Sequence, residues 1–127
     1  MKYLLIVAGG GIGALLRYSL SLLAQKQLGN SFPHGTLAVN IIGAFIIGFA
    51  WEVSQSLIIS DNIKLFVFMG FLGGLTTFST YSLETVNYFR NNEITKAFLN
   101  IVLSNISCII LVFAGYLSAR YLMKFIR

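Results

Sequence analysis

The sequence predicts an all-α integral membrane protein with four transmembrane helices, the third of them broken at Gly73-Gly74. Three observations predict it. Of the 127 residues, 57% are hydrophobic and only 10% are charged, with a mean hydropathy of +0.81, far too apolar for a soluble domain of this length. The apolar residues fall into four runs, at 3–24, 36–56, 63–89 and 97–123, each near the roughly 20 residues that a bilayer-spanning helix needs. The connections, at 25–35, 57–62 and 90–96, are short, so consecutive helices lie antiparallel and adjacent and both termini share one side. One transmembrane domain over 1–127 leaves no room for a soluble one.

The net charge of +5 does not point to nucleic acid, because the basic residues flank apolar runs instead of clustering on a polar face. The single Cys108 has no intrachain disulfide partner and falls in an apolar run, so it carries no message about redox compartment. The N-terminal run has only Lys2 before it, contains Arg17 and lacks a small-residue cleavage site, which argues against a signal peptide.

In the first helix, Gly9 and Gly13 form a small-x-x-x-small pair that lets another backbone approach closely. A nucleotide-binding reading of Gly9-Gly10-Gly11-Ile12-Gly13-Ala14 fails, since no strand precedes it and no acidic residue follows at the ribose distance. Arg17 extends the Gly13 face; it either snorkels from a helix end or contacts an ion near a vestibule. His34, beside Pro33 and Gly35, has no second ligand nearby and reads as a solvated loop residue. Thr36 reads as the N-cap of the second helix. Asn40 shares a face with Gly43 and Ala44, so its amide points into a close helix contact, where it serves as interhelical glue, lines a pore or orients the break in the third helix. Trp51, Glu52 and Gln55 mark the approach to an interface.

The third helix carries the stretch 70–82, which holds three glycines, three threonines and two serines inside an apolar run. It reads either as a break that lines a site or as a small-residue contact face with hydroxyls bonded back to their own helix. Beyond it, Phe78, Tyr81, Ser82 and Thr85 share one face and Ser79 and Thr80 point elsewhere. Aromatic ring edges are electropositive and hydroxyls donate hydrogen bonds, so this surface suits an anion. Carbonyls freed between Gly73 and Thr76 suit a cation such as sodium instead. Glu84 reads as a solvated carboxylate near a helix end. In the fourth helix Asn100, Ser104, Ser107, Cys108, Leu111 and Gly115 form a broad stripe that serves either as glue or as a polar track. Arg120, Lys124 and Arg127 close the chain at the interface.

With both termini on one side, that side holds Lys2, Lys64, Arg120, Lys124 and Arg127, and the other holds Arg17, Lys26, Arg90 and Lys96. Five against four sets no firm orientation, so the same chain can insert both ways. Four helices make a small wall for a pore, and a homodimer with antiparallel subunits and a two-fold axis in the membrane plane is the expected assembly.

Three ordered motifs then carry a resemblance across essentially the whole chain: Gly10-Gly11-Ile12-Gly13-Ala14-Leu15-Leu16-Arg17-Tyr18, Gly35-Thr36-Leu37-Ala38-Val39-Asn40-Ile41-Ile42-Gly43 and Gly73-Gly74-Leu75-Thr76-Thr77-Phe78-Ser79-Thr80. In these the sequence resembles the Fluc (CrcB) fluoride channel family. The resemblance implies an antiparallel, dual-topology homodimer in the cytoplasmic (inner) membrane, with two fluoride pathways that let fluoride leave passively. It also implies a structural sodium ion on the dimer axis, held by the carbonyls of Gly73 and Thr76 from both subunits. Phe78 matches the first of the family's pore phenylalanines, Asn40 the asparagine beside it, Ser79 and Thr80 hydroxyls of the polar track, and Arg17 the vestibule arginine. Ser104 and Cys108 fall on the fourth helix where the family lines the pathway. Tyr81 departs from the usual phenylalanine, and the expectation is that conduction persists with altered hydration or rate.

Fluoride is small and strongly hydrated, so its pore replaces water with donors at several weak sites. A proton-coupled exporter, such as the four-helix small multidrug exporters, needs a buried carboxylate that the first helix lacks, and Glu52 and Glu84 both read as interfacial. A structural assembly factor, the remaining alternative, predicts no ion flux.

Overall fold

The computed structural model describes residues 1–126, and Arg127 lies outside the described residues. Long, predominantly apolar runs give long helices: α1 spans Lys2–Leu28 and ends where Gly29 turns to φ 81°, a left-handed backbone suited to glycine. Helix α2 spans His34–Ser56 and follows Pro33, whose fixed φ and missing N–H suit a helix start. His34 is thus the first residue of α2, half-buried with its ring 5.4 Å from that of Phe32, and not a solvated loop residue. Thr36 is not the cap either, since it already lies inside the helix and is buried.

The third span begins at Ser60, whose hydroxyl accepts from the Ile63 N–H. It continues as a short α-helix Asp61–Lys64, a π-helical stretch Leu65–Leu72 and a last turn Gly73–Leu75, together α3. After Thr76 and Thr77 comes α4, Phe78–Arg90, and then α5, Ile94–Ile126. Among the described residues no strand is present, and four helices, with α3 and α4 counted as one span, are long and apolar enough to cross a membrane. The outward faces match a lipid environment: Leu4, Val7, Leu15, Ile106, Ile109 and Phe113 are all exposed apolar side chains.

The glycines explain how the helices meet. A Cβ on Gly9 or Gly13 of α1 would run into the carbonyls of Phe66 or Phe71, and one on Gly70 or Gly74 of α3 would run into those of Ile6 or Gly10. Backbone therefore packs on backbone along the whole α1–α3 seam. Helices α2 and α5 repeat the device with Gly48 against Val112 and Gly115 against Phe45.

This packing corrects the position of the break. Gly73 has φ −62° and ψ −34°, and Gly74 continues the helix, so neither glycine departs from helical geometry. The extended residues are Thr76, at φ −88° and ψ 155°, and Thr77, at φ −149° and ψ 109°. Gly74 is needed for close approach to α1, and the interruption falls where hydroxyls and an amide can take over the backbone groups.

Candidate functional site

Asn40 holds the interruption open. Its Nδ2 donates to the Thr77 carbonyl at 3.0 Å, and its Oδ1 accepts from the Thr77 N–H at 2.7 Å, so one amide satisfies both backbone groups of one extended residue. Because both partners are backbone groups of known polarity, the orientation of the amide is fixed. Thr77 in turn caps α4: its hydroxyl accepts from the Thr80 N–H at 3.2 Å and donates to the Thr80 hydroxyl at 2.9 Å, with Ser79 Oγ 3.3 Å away.

This rerouting acts on two carbonyls in particular. In an unbroken helix the Gly73 carbonyl would accept from Thr77 N–H and the Thr76 carbonyl from Thr80 N–H. Asn40 takes the first donor and Thr77 Oγ1 takes the second. Both carbonyls lose their helical donors, which is what carbonyl ligation of a hard cation requires. Among the described residues no group of three His, Cys, Asp or Glu side chains gathers, so a cation in this region would rest on carbonyl oxygen.

Beside the interruption lies an open cleft of about 420 Å³ between α2, α3, α4 and α5. Of the residues singled out in the sequence, Asn40, Gly73, Thr76, Phe78, Tyr81, Ser104 and Cys108 line it. Ser79 and Thr80 are exposed on the first turn of α4 and do not line it, and neither does Arg17. The Phe78 and Tyr81 rings stand 5.2 Å apart and tilted at 53°. Phe78 is 74% exposed although Tyr81 is only 8% exposed, so the phenylalanine offers a face that this single copy leaves uncovered.

A polar ladder ties α4 to α5. The Thr85 hydroxyl donates to the Tyr81 carbonyl at 2.9 Å, Asn100 Nδ2 donates to Thr85 Oγ1 at 2.9 Å, and Ser104 Oγ donates to Asn100 Oδ1 at 3.3 Å. Asn100 is 1% exposed, and it joins the stripe as glue. Ser104 does both things at once, lining the cleft while giving its proton to the ladder. Ser107 and Ser82 donate back to the carbonyls of Leu103 and Phe78 in their own helices.

Three residues of this region escaped the sequence pattern. Asn105 donates from Nδ2 to the Tyr81 hydroxyl at 3.0 Å and to the Ile101 carbonyl at 2.7 Å, but it sits off the stripe that passes through Ser104 and Cys108. Thr77 lies in a run of similar hydroxyl residues, and nothing local singles it out as the residue that Asn40 holds. Glu84 is half-buried instead of solvated: the Thr36 hydroxyl donates to its Oε1 at 2.6 Å, and among the described residues its buried Oε2 has no hydrogen-bond partner. The signal for that pair was the hydroxyl of Thr36, which is explained by its long-range partner and not by the helix start.

Comparison with known proteins adds the chemistry. The family described as CrcB-like protein, Camphor Resistance (CrcB), matches residues 4–116. A protein of Parabacteroides distasonis named fluoride-specific ion channel FluC is 39% identical over 127 residues, covering 100% of this chain and 99% of its own. Proteins of the same name from Clostridium perfringens and Salinibacter ruber are 49% and 41% identical, over 94% and 97% of this chain and 94% and 92% of their own lengths.

Proposed function

We propose that this chain, which belongs to the CrcB family, is a fluoride-selective ion channel that lets fluoride leave the cytoplasm passively. The family is one of ion channels and not of enzymes, and the chain is a multi-pass membrane protein. The observation that carries the proposal is the cleft: an aromatic pair, two amides and hydroxyls line it, and none of its lining residues carries a charge.

In this reading fluoride exchanges its water for the ring edges of Phe78 and Tyr81 and for donors of Asn40 and Cys108, and Ser104 joins them by turning its hydroxyl from Asn100 to the ion. Several weak contacts allow entry and release, whereas a cationic side chain in direct contact with the ion along the path would trap it. Arg17 attracts the anion at a vestibule, and Ser79 and Thr80 offer hydroxyls on the exposed side of α4. Two copies pair antiparallel in the inner membrane, giving two pathways. The exposed Phe78 and the open cleft support this, because a second copy would cover them. A sodium ion held by the Gly73 and Thr76 carbonyls of both copies would supply a fixed positive charge at the dimer centre. The loss of both helical donors at those carbonyls fits that role.

One observation favours a second reading. The half-buried Glu84, with one oxygen unpartnered among the described residues, is the sort of carboxylate that proton coupling uses. Fluoride efflux from liposomes, with chloride and an imposed proton gradient as controls, separates the two. Fast fluoride loss without chloride loss and independent of the gradient supports the channel. Flux that follows the gradient supports exchange, and no flux from folded dimers overturns both.

A further inference from the structure

Tyr81 holds a buried phenol on the wall of the cleft, and its hydrogen bonding is one-sided. The Asn105 amide must present Nδ2 to the Ile101 carbonyl, which can only accept, and the second hydrogen of the same nitrogen goes to the Tyr81 oxygen. The phenol is therefore an acceptor toward Asn105. Its own hydrogen has no acceptor among the described hydrogen bonds, and Tyr81 and Asn105 both line the cleft. Donation into the phenol oxygen also polarises its O–H bond and strengthens it as a donor.

We infer that the Tyr81 hydroxyl, held by Asn105, donates a hydrogen bond to the anion in the cleft, making Tyr81 a specificity-determining residue and Asn105 a positioning residue. The inference rests on the fluoride reading above. An O–H group gives a small, strongly basic anion a shorter and stronger contact than a ring edge does, and it favours fluoride over chloride because the smaller ion accepts more strongly. Phe78, with no polar atom, supplies only its ring in the same cleft. Asn105 also lines the cleft, but both hydrogens of its amide nitrogen are taken, by the Tyr81 hydroxyl and the Ile101 carbonyl, so it acts on the anion through the phenol.

The test measures fluoride flux against fluoride concentration in liposomes for the wild-type chain, Tyr81→Phe, Asn105→Leu and the double variant, each first checked for a single dimer peak in detergent. Loss of a hydrogen bond to a charged group predicts a rise of about tenfold in the half-saturating fluoride concentration for Tyr81→Phe. Asn105→Leu is expected to raise it about threefold. The double variant should match Tyr81→Phe alone, a coincidence that a merely structural role for Asn105 would not produce. Unchanged half-saturation in Tyr81→Phe overturns the donor role, and additive effects overturn the positioning role. Should Tyr81→Phe fail to fold, unchanged half-saturation in Asn105→Leu overturns the inference by itself. A wild-type chain that moves no fluoride removes the underlying reading and the inference together, whereas conducting wild-type protein with insensitive variants removes only the inference.

Discussion

Replacing Asn40 with alanine removes the one side chain that satisfies both backbone groups of Thr77. Hydrogen bonds between helices in membranes are worth about 0.6–1.7 kcal/mol each. Losing the two bonds therefore costs about 1–3.5 kcal/mol. The upper end applies if Thr77 stays extended, because it is buried and its backbone groups lose both partners at once. The lower end applies if Thr77 N–H swings back to the Gly73 carbonyl and the helix closes, in which case the interruption disappears along with the free carbonyl. Either route damages the site, so Asn40→Ala is expected to melt at a lower temperature in detergent and to lose most of its fluoride flux. Asn40→Asp separates the two bonds: it keeps the acceptor for Thr77 N–H, loses the donor to the carbonyl, and sets a negative charge beside the path. A thermal scan with a flux assay on the same preparations checks this, and Asn40→Ala protein with wild-type melting and wild-type flux would refute the idea that this amide holds the interruption.

Phe78→Ile keeps bulk but removes the ring edge from the cleft; it is expected to abolish fluoride flux with the dimer intact, and unchanged flux would sink the pore assignment. Gly13→Ala drives a Cβ into the Phe71 carbonyl on the α1–α3 seam and is expected to destabilise by about 1–3 kcal/mol. Gly11→Ala, at a position with open space around it, should leave the melting temperature unchanged, so equal behaviour of the two would refute the seam. Thr36→Val strips the hydroxyl from Glu84 and should cost about 1–3 kcal/mol by leaving a half-buried carboxylate without its donor. Pairing it with Glu84→Gln should cost less than the sum of the two single changes, which a double-mutant thermal comparison would reveal.

The helices were legible because membrane insertion imposes a single demand, apolar length, and the sequence meets it four times. The presence of an interruption in the third span was legible from its glycines and hydroxyls, but its position was not. Gly73-Gly74 looks like a weak point when the chain is read alone, yet in the fold Gly74 is pressed against Gly10 and Ala14 and stays helical. Backbone geometry at Thr76 and Thr77 depends on Asn40, 37 residues away from Thr77, and no local pattern contains that separation. Glu84 was misread for a related reason: its position near a helix end suggests water, while its hydroxyl partner Thr36 is 48 residues away. The faces of the stripe on α5 were legible from helical spacing, but which residue gives its proton to which neighbour was not. Ser104 faces the cleft and still donates inward to Asn100.

A single residue links the two ionic features of the proposed channel. Thr77 gives its N–H to Asn40, which strips the Gly73 carbonyl of a donor, and its hydroxyl receives Thr80 N–H, which strips the Thr76 carbonyl of another. The same hydroxyl starts α4, and the start of α4 fixes the direction in which Phe78 and Tyr81 enter the cleft. In the proposed channel, the carbonyls offered to a cation and the aromatic edges offered to an anion thus depend on one N-cap. Thr77→Ser keeps the cap and should preserve both features. Thr77→Val removes the hydroxyl while leaving the N–H on Asn40, so the Thr80 N–H is free to return to the Thr76 carbonyl. If the two features share this origin, Thr77→Val loses sodium-dependent stability and fluoride flux together, whereas loss of one with the other intact would show that the cation and anion sites are built independently.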